Sequence, residues 1–442
     1  VCVSSGNEGE DPVYIYKQFS AGSTEVKTFI PLTNGTYSGR FQVWGRNSTV
    51  FPLQVVVYDT TDSKIVYSYN LNRNLGGGRY GIGSSAYSNY SDIDVTPAEF
   101  DAAMTGYVMM WSNIATTNSR YNVELQFNCT PKDSRYVMGL VCSGTAGSIV
   151  EFYSGTGFTS RGISGWTNGT PDNSANDLAC GDNVLAIGSY TSRNSWPNYG
   201  GALMWLASNQ TYAETHYPVG KISPFTSYGQ EINGKNIPTI CAPGCYLVSS
   251  ISTPYFNKAG LVNASVVGVA ESTIANTETT RQNYWDGMMG TSMASPFAAG
   301  VCALMLQADP TLTYDKVRDI LTSTAIRDDD VTSATNQVQW GAGKIDAYAA
   351  VKKVLAQSSA IGAVSADESR WTVLPATDGY DVVAPGAESI EASLYDVQGR
   401  CVTTAAARGC ELRLTTASLP AGIYILRASS SSSSHTSKLL IR

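Results

Sequence analysis

The chain has 442 residues, with 29 Lys and Arg against 36 Asp and Glu and a formal net charge of −7. That length accommodates two to four domains and a substantial core, and the acidic balance argues against a nucleic-acid partner. Charged residues make up only 15% of the chain, well below the roughly 25% of average soluble domains, so Ser, Thr, Asn and Tyr must fill many exposed positions, as suits an extracellular β-rich protein.

In chain order, Val1-Cys2-Val3-Ser4-Ser5-Gly6-Asn7-Glu8-Gly9 reads as the end of an apolar strand entering a turn, where Asn and Gly tolerate positive φ. Short alternating runs follow: Glu25–Leu32, Tyr37–Gly45, Phe51–Tyr58, Lys64–Asn70, Gly106–Ser112, Arg120–Asn128, Arg135–Cys142 and Ser148–Tyr153, separated by Gly, Asn, Asp and Ser clusters. Phe41, Val43, Val55, Val57, Val108 and Met110 fall on alternate positions, as a half-buried sheet requires. An antiparallel β-sandwich or jelly roll is therefore expected over 13–165. Asn183–Tyr190 is a continuous apolar run, suited to a parallel strand covered on both faces. Gly290-Thr291-Ser292-Met293-Ala294-Ser295-Pro296 precedes a small-residue apolar run. It reads as a tight turn opening into a buried helix, with Ser292 at or just before the N-terminus, where unpaired N–H groups and the helix dipole stabilise an anion. Thr313 is expected to cap a further helix with Val317, Ile320 and Leu321 on one face and Asp315 in its first turn. A last helix ends near Leu355. Residues 358–369 read as a linker, and 370–442 as a small C-terminal β-sandwich with strands at Trp371–Leu374, Ile390–Asp396, Glu411–Thr415, Gly422–Ala428 and Ser437–Ile441.

Several of these stretches carry a resemblance. Gly290 to Pro296 resembles the nucleophile motif of the subtilases, the subtilisin-like serine peptidases. It is not the G-x-S-x-G elbow of lipases, because Ala294 stands where that motif needs Gly. Val1 to Gly9 resembles the subtilase segment whose Asn side chain forms half the oxyanion hole. Between them, Asn183–Tyr190, Ile222–Gly229 and Ile240–Gly244, the last departing from the family at Cys241, resemble further stretches of the family in its order, and Trp340–Ala347 resembles its closing segment. The resemblance implies an α/β parallel-sheet catalytic domain over 1–12 and 166–357, interrupted by the sandwich. It implies Ser292 as nucleophile, Asn7 and the Ser292 N–H as oxyanion donors, and Ser4, Ser5, Gly6 and Glu8 as substrate-side residues, with Glu8 near a pocket floor favouring a basic or polar side chain. Leu394–Arg400, Leu419–Arg427 and Lys438–Arg442 resemble the C-terminal sorting domain of the type IX secretion pathway of Bacteroidetes-type bacteria, which implies a secreted or outer-membrane-surface protein.

The resemblance leaves two residues unfilled. Subtilases place a catalytic Asp and His before the oxyanion Asn, in the order Asp, His, Ser. Only His216 and His435 occur here, and neither stands in a matching segment. The chain is therefore expected to be the C-terminal portion of a longer enzyme, inactive alone, with Asp and His supplied by an N-terminal segment or partner chain. Loss of the His in subtilisin itself costs about 10⁶ in kcat. The other function class is a non-catalytic surface adhesion protein on a degenerate subtilase scaffold.

The expected partner is a protein or peptide substrate. No cofactor is required and no metal site is read. Asp328-Asp329-Asp330 reads as a solvated turn, with structural calcium as the other reading; it lacks a spaced ligand loop. Among the nine cysteines, Cys401 and Cys410 flank an expected hairpin and are candidates for a pair. No apolar run approaches 18 residues, so no transmembrane helix is expected.

Overall fold

A computed structural model describes residues 1–46, 50–71, 78–87, 93–207, 209–231, 234–273, 280–359, 371–431 and 433–441. The chain divides into Val1–Val354 and Leu355–Arg442. The expected linker lies, from 360 onward, outside the described residues; positions 358 and 359 end the helix Ala347–Ser359.

At the centre of the first unit are three parallel strands, in the order Cys2–Ser4, Leu185–Thr191, Ile240–Cys245. The apolar run expected near Asn183 forms the middle strand, where a strand covered on both faces belongs. On one face lies the helix Thr291–Ala308, which buries Ala294, Ala298, Val301 and Met305 against Leu185, Ile187, Ile240 and Ala242. Small residues on that stripe let helix and sheet approach closely. This helix is as long and apolar as a minimal membrane span, although Thr291, Ser292, Ser295 and Gln307 interrupt its apolar run; its buried stripe belongs to the sheet core. The helix Tyr314–Thr324 completes that core through Val317, Ile320 and Leu321, capped by Thr313, as the sequence predicts.

Cys2–Ser4 is an edge strand. Leu185 N donates to Val1 O at 2.9 Å and Ser5 N to Ile187 O at 3.0 Å. In a parallel ladder alternate residues face the neighbouring strand, so the backbone groups of Cys2 and Ser4 face the other way. No strand among the described residues pairs there. The outer side of the Ser292 helix is also uncovered: Phe297, Leu304 and Leu306 are exposed.

Residues 14–154 form two antiparallel sheets. One, in spatial order, is Glu25–Phe29, Tyr136–Ser143, Leu53–Asp59, Lys64–Asn70; the other is Tyr14–Gln18, Ile149–Ser154, Tyr37–Gly45, Tyr121–Pro131, Met104–Ile114, Gly78–Gly83. They share one apolar core, in which Phe41, Val43, Val55, Val57, Val108 and Met110 are fully buried. Two strands escape the sequence reading. Gly78–Gly83 (GRYGIG) is glycine-rich and reads as a loop, and Tyr14–Gln18 follows directly on an acidic turn.

On the second sheet Glu151 is 1% exposed. It takes hydrogen bonds from Arg46 Nη2 (2.5 Å), Arg120 Nη2 (2.7 Å) and Tyr14 Oη (2.9 Å). Burial would raise its pKa; the bonds from Arg46 and Tyr14 and the charges of Arg46 and Arg120 outweigh burial and hold the carboxyl below its usual range. A depressed carboxyl contributes stability above the unfolded carboxylate pKa and loses it as pH falls through the folded one. Glu151→Ala strands two guanidinium groups and is expected to cost about 3 kcal/mol at neutral pH in urea unfolding. The deficit should shrink in acid, where the wild type loses the same contribution; a deficit independent of pH would contradict this reading.

The second unit holds a three-stranded sheet (Thr372–Ala376, Gly379–Val383, Glu411–Thr415) and a four-stranded one (Cys401–Arg408, Ser389–Tyr395, Gly422–Ser429, Ser434–Ile441) around a shared core. The candidate Cys401–Cys410 pair is corrected. Cys401 opens a strand whose far end is Arg408, and Cys410 lies beyond that end. At about 3.3 Å per residue the two are held far outside disulfide reach. Both are free and exposed.

Candidate active site

Gly290 adopts φ 144° and ψ 159°, a conformation that L side chains rarely take. Its N–H donates to Gly244 O at 2.9 Å, tying the start of the helix to the end of the third parallel strand. The chain then turns helical at Thr291, and Ser292 is the second helical residue, exposed to solvent. Pro296 lies inside the helix; its missing N–H is the one that would have bonded the Ser292 carbonyl.

Thr291 is fully buried and joins the helix to the loop after Cys2–Ser4. Its N–H donates to Asn7 Oδ1 at 2.9 Å. Its hydroxyl accepts from Gly6 N at 3.2 Å and lies 3.0 Å from Gly6 O and 3.1 Å from Asn7 Oδ1. Because a backbone N–H can only donate, the bond at Asn7 fixes which amide atom faces inward. The Asn7 NH₂ therefore points away from Thr291. Among the described residues neither Asn7 Nδ2 nor the Ser292 N–H has an acceptor, and Ser292 Oγ has no hydrogen-bond partner. Asn7 Nδ2 would stand 3.6 Å from a Cβ built on Gly290, so the amide lies over the turn that launches Ser292.

The loop is braced from the other side by Ser227 and Glu8. Glu8 Oε2 accepts from Asn7 N (2.8 Å) and from Ser227 Oγ (2.9 Å), while Ser227 Oγ accepts from Glu8 N (2.8 Å). Glu8, read from sequence as lying near a pocket floor, has this oxygen committed to holding the loop. Ser5 and Gly6 are buried, with their backbone groups bonded inward: Ser5 O accepts from Asn176 N (2.7 Å) and Gly6 O from Ser227 N (3.1 Å). Of the four expected substrate-side residues, Ser4 is the one whose backbone faces the open edge. Sequence reasoning missed Thr291 and Ser227, although each stands inside a motif it quoted.

Gly6 has φ 115°, and a Cβ there would lie 2.6 Å from Ser227 Oγ and 2.8 Å from Glu8 Oε2. Gly6→Ala is expected to cost roughly 2 kcal/mol of stability and to displace Asn7, lowering kcat more than it raises KM. An unchanged melting temperature and kcat would show that the loop tolerates the shift.

The histidines lie elsewhere. His216 Nε2 is 3.1 Å from Glu10 Oε2, and His435 stacks on Trp371 in the other unit. In the acidic run, Asp328 Oδ2 is 2.7 Å from Lys344 Nζ, and Asp330 meets Lys344 (3.2 Å) and Lys221 (2.6 Å). Lys221, then Lys344, holds the Asp330 carboxyl below its usual pKa range. The cations beside these two carboxylates are thus ammonium groups.

Parallel strands and an exposed serine in the first turn of a helix, with an asparagine amide over the turn that launches it, define an α/β arrangement. Residues 128–344 match the model of the subtilase family, and residues 375–442 match that of the secretion system C-terminal sorting domain. The first segment is thus a subtilase-family segment and the second a secretion sorting domain. It is similar to the serine protease AprX of Bacillus subtilis, 38% identical over 101 residues covering 23% of this chain and 19% of that protein. It is also similar to the extracellular basic protease of Dichelobacter nodosus, 32% identical over 143 residues covering 31% of this chain and 18% of that one. The aligned stretches thus span less than a fifth of either relative. Among solved structures, the Clostridium perfringens CspB protease aligns with a TM-score of 0.47 at 14% identity, covering 80% of this chain and 59% of that chain.

Proposed function

We propose that this chain forms the C-terminal part of a secreted or surface-attached serine endopeptidase. The observation that carries the reading is the pair of uncommitted donors, Asn7 Nδ2 and the Ser292 N–H, beside the exposed Ser292 Oγ. Ser292 Oγ attacks a peptide carbonyl. The negative charge that develops on the carbonyl oxygen meets these two donors and the positive end of the helix dipole. An acyl-enzyme forms on Ser292 and water releases it. The proton of Ser292 needs a general base, and the base an orienting carboxylate. His216 and His435 have other surroundings, so the His and Asp come from an N-terminal segment or chain outside these residues. Its docking place is the open edge of Cys2–Ser4, with the uncovered side of the Ser292 helix beside it. Residues 13–165 are then an insertion in the catalytic domain, a β-sandwich of jelly-roll type. The sorting domain directs export in a Bacteroidetes-type bacterium.

The test is peptide hydrolysis by the longest native form of the protein, compared with the chain starting at Val1. Hydrolysis by the first and not the second is expected. Equal activity of both would refute the external Asp and His, and no hydrolysis by the native form would refute the peptidase.

A further inference from the structure

Two thiols meet at the junction of the two elements that build the site. Cys2 opens the edge strand that leads into the Asn7 loop, and Cys302 sits on the Ser292 helix. Their sulfurs are 3.8 Å apart, both half-buried against the core between sheet and helix. We propose that Cys2 and Cys302 form a disulfide in the exported protein, clamping the oxyanion strand to the nucleophile helix.

The other cysteines set this pair apart. Cys129, Cys142, Cys241 and Cys245 are buried, and burial pushes their thiols well above the ordinary thiol value, which makes them poor nucleophiles. Cys2 is drawn the opposite way, to about 7, first by its hydrogen bond with Cys302, while Cys302 is raised, first by the same contact and then by burial. With the sulfurs in contact, either one can attack as the thiolate while its neighbour resolves the mixed disulfide. A shared metal is the competing use of two such sulfurs. A structural site needs about four ligands, and among the described residues no group of three or more His, Cys, Asp or Glu is placed to hold an ion. The sorting domain, for its part, sends the chain to a compartment where disulfides persist.

The chemistry balances with a small-molecule disulfide, such as an oxidised glutathione-type compound, as oxidant. The Cys2 thiolate attacks one sulfur of that disulfide, forming a mixed disulfide and releasing one thiolate. Cys302 loses its proton and attacks the Cys2 sulfur, releasing the second. Two electrons and two protons pass from the protein to the oxidant, which leaves as two thiols. The closed loop spans almost the whole first unit, and long loops lose the most unfolded-state entropy on cross-linking.

The experiment is peptide mapping of the exported full-length protein, alkylated before any reduction. The expected result is a Cys2 peptide joined to a Cys302 peptide, two hydrogens lighter than their sum, with Cys180 alkylated. Cys2 and Cys302 both alkylated in the folded exported protein would overturn the proposal, as would either joined to another cysteine. A second measurement does not depend on a variant folding unaided. Mild reduction of the wild type should lower its melting temperature by roughly 5 °C, and the same treatment of Cys302→Ser should leave that variant unmoved. Equal shifts in both proteins would also overturn the clamp.

Discussion

Ser292→Ala in the native full-length protein is expected to lower kcat for peptide hydrolysis by about 10⁶, the loss seen when a subtilisin triad member is removed. The melting temperature should barely move. Ser292 is exposed, its Oγ has no partner among the described residues, and Ala is the better helix former by a few tenths of a kcal/mol. The two readouts together make the prediction sharp. A structural serine would shift stability and leave rate alone; a nucleophile does the reverse. Residual kcat within about tenfold of wild type, from a folded variant free of wild-type contamination, would remove Ser292 from the chemistry.

The second large effect is at Asn7. Asn7→Ala is expected to reduce kcat by about 10²–10³, equivalent to about 3–4 kcal/mol, with KM nearly unchanged, because an oxyanion donor acts on charge present only in the transition state. Asn7 has a second duty: its Oδ1 receives the Thr291 N–H at 2.9 Å. Ala removes both, so a fall in rate could come from a loosened loop. Asn7→Asp separates them. The aspartate keeps an oxygen for Thr291 and loses the NH₂ donor, so the fold should hold while kcat falls at least as far. Recovery of rate in Asn7→Asp would assign Asn7 to the loop and leave the Ser292 N–H as the single donor.

Much of this was legible in the sequence where local pattern and tertiary context agree. The alternation of Phe41 with Val43 and of Val55 with Val57 predicted their burial, and Thr313 predicted a helix start. The turn at Gly290 predicted a helix with Ser292 at or just before its N-terminus, and Ser292 is its second residue. The failures have physical causes. Cys401–Arg408 is Ala- and Thr-rich with no fully buried side chain, so no period marked it as a strand, and Cys401 and Cys410 were mistaken for a pair flanking a hairpin. The brace between Glu8 and Ser227 joins residues far apart in the chain, so no local pattern announced it. The link between Thr291 and Asn7 joins residues 284 positions apart, and no local signal announces such a bond. The meeting of Cys2 and Cys302 is invisible for the same reason.

The most direct measurement is active-site labelling. The native exported protein is treated, folded, with a fluorophosphonate probe that modifies activated serine hydroxyls, then digested and mapped by mass spectrometry. Modification at Ser292, absent after heat denaturation and absent from the chain that starts at Val1, is the predicted result. No adduct at Ser292 in the folded native protein would contradict the account and leave a subtilase scaffold whose inserted sheets carry the function.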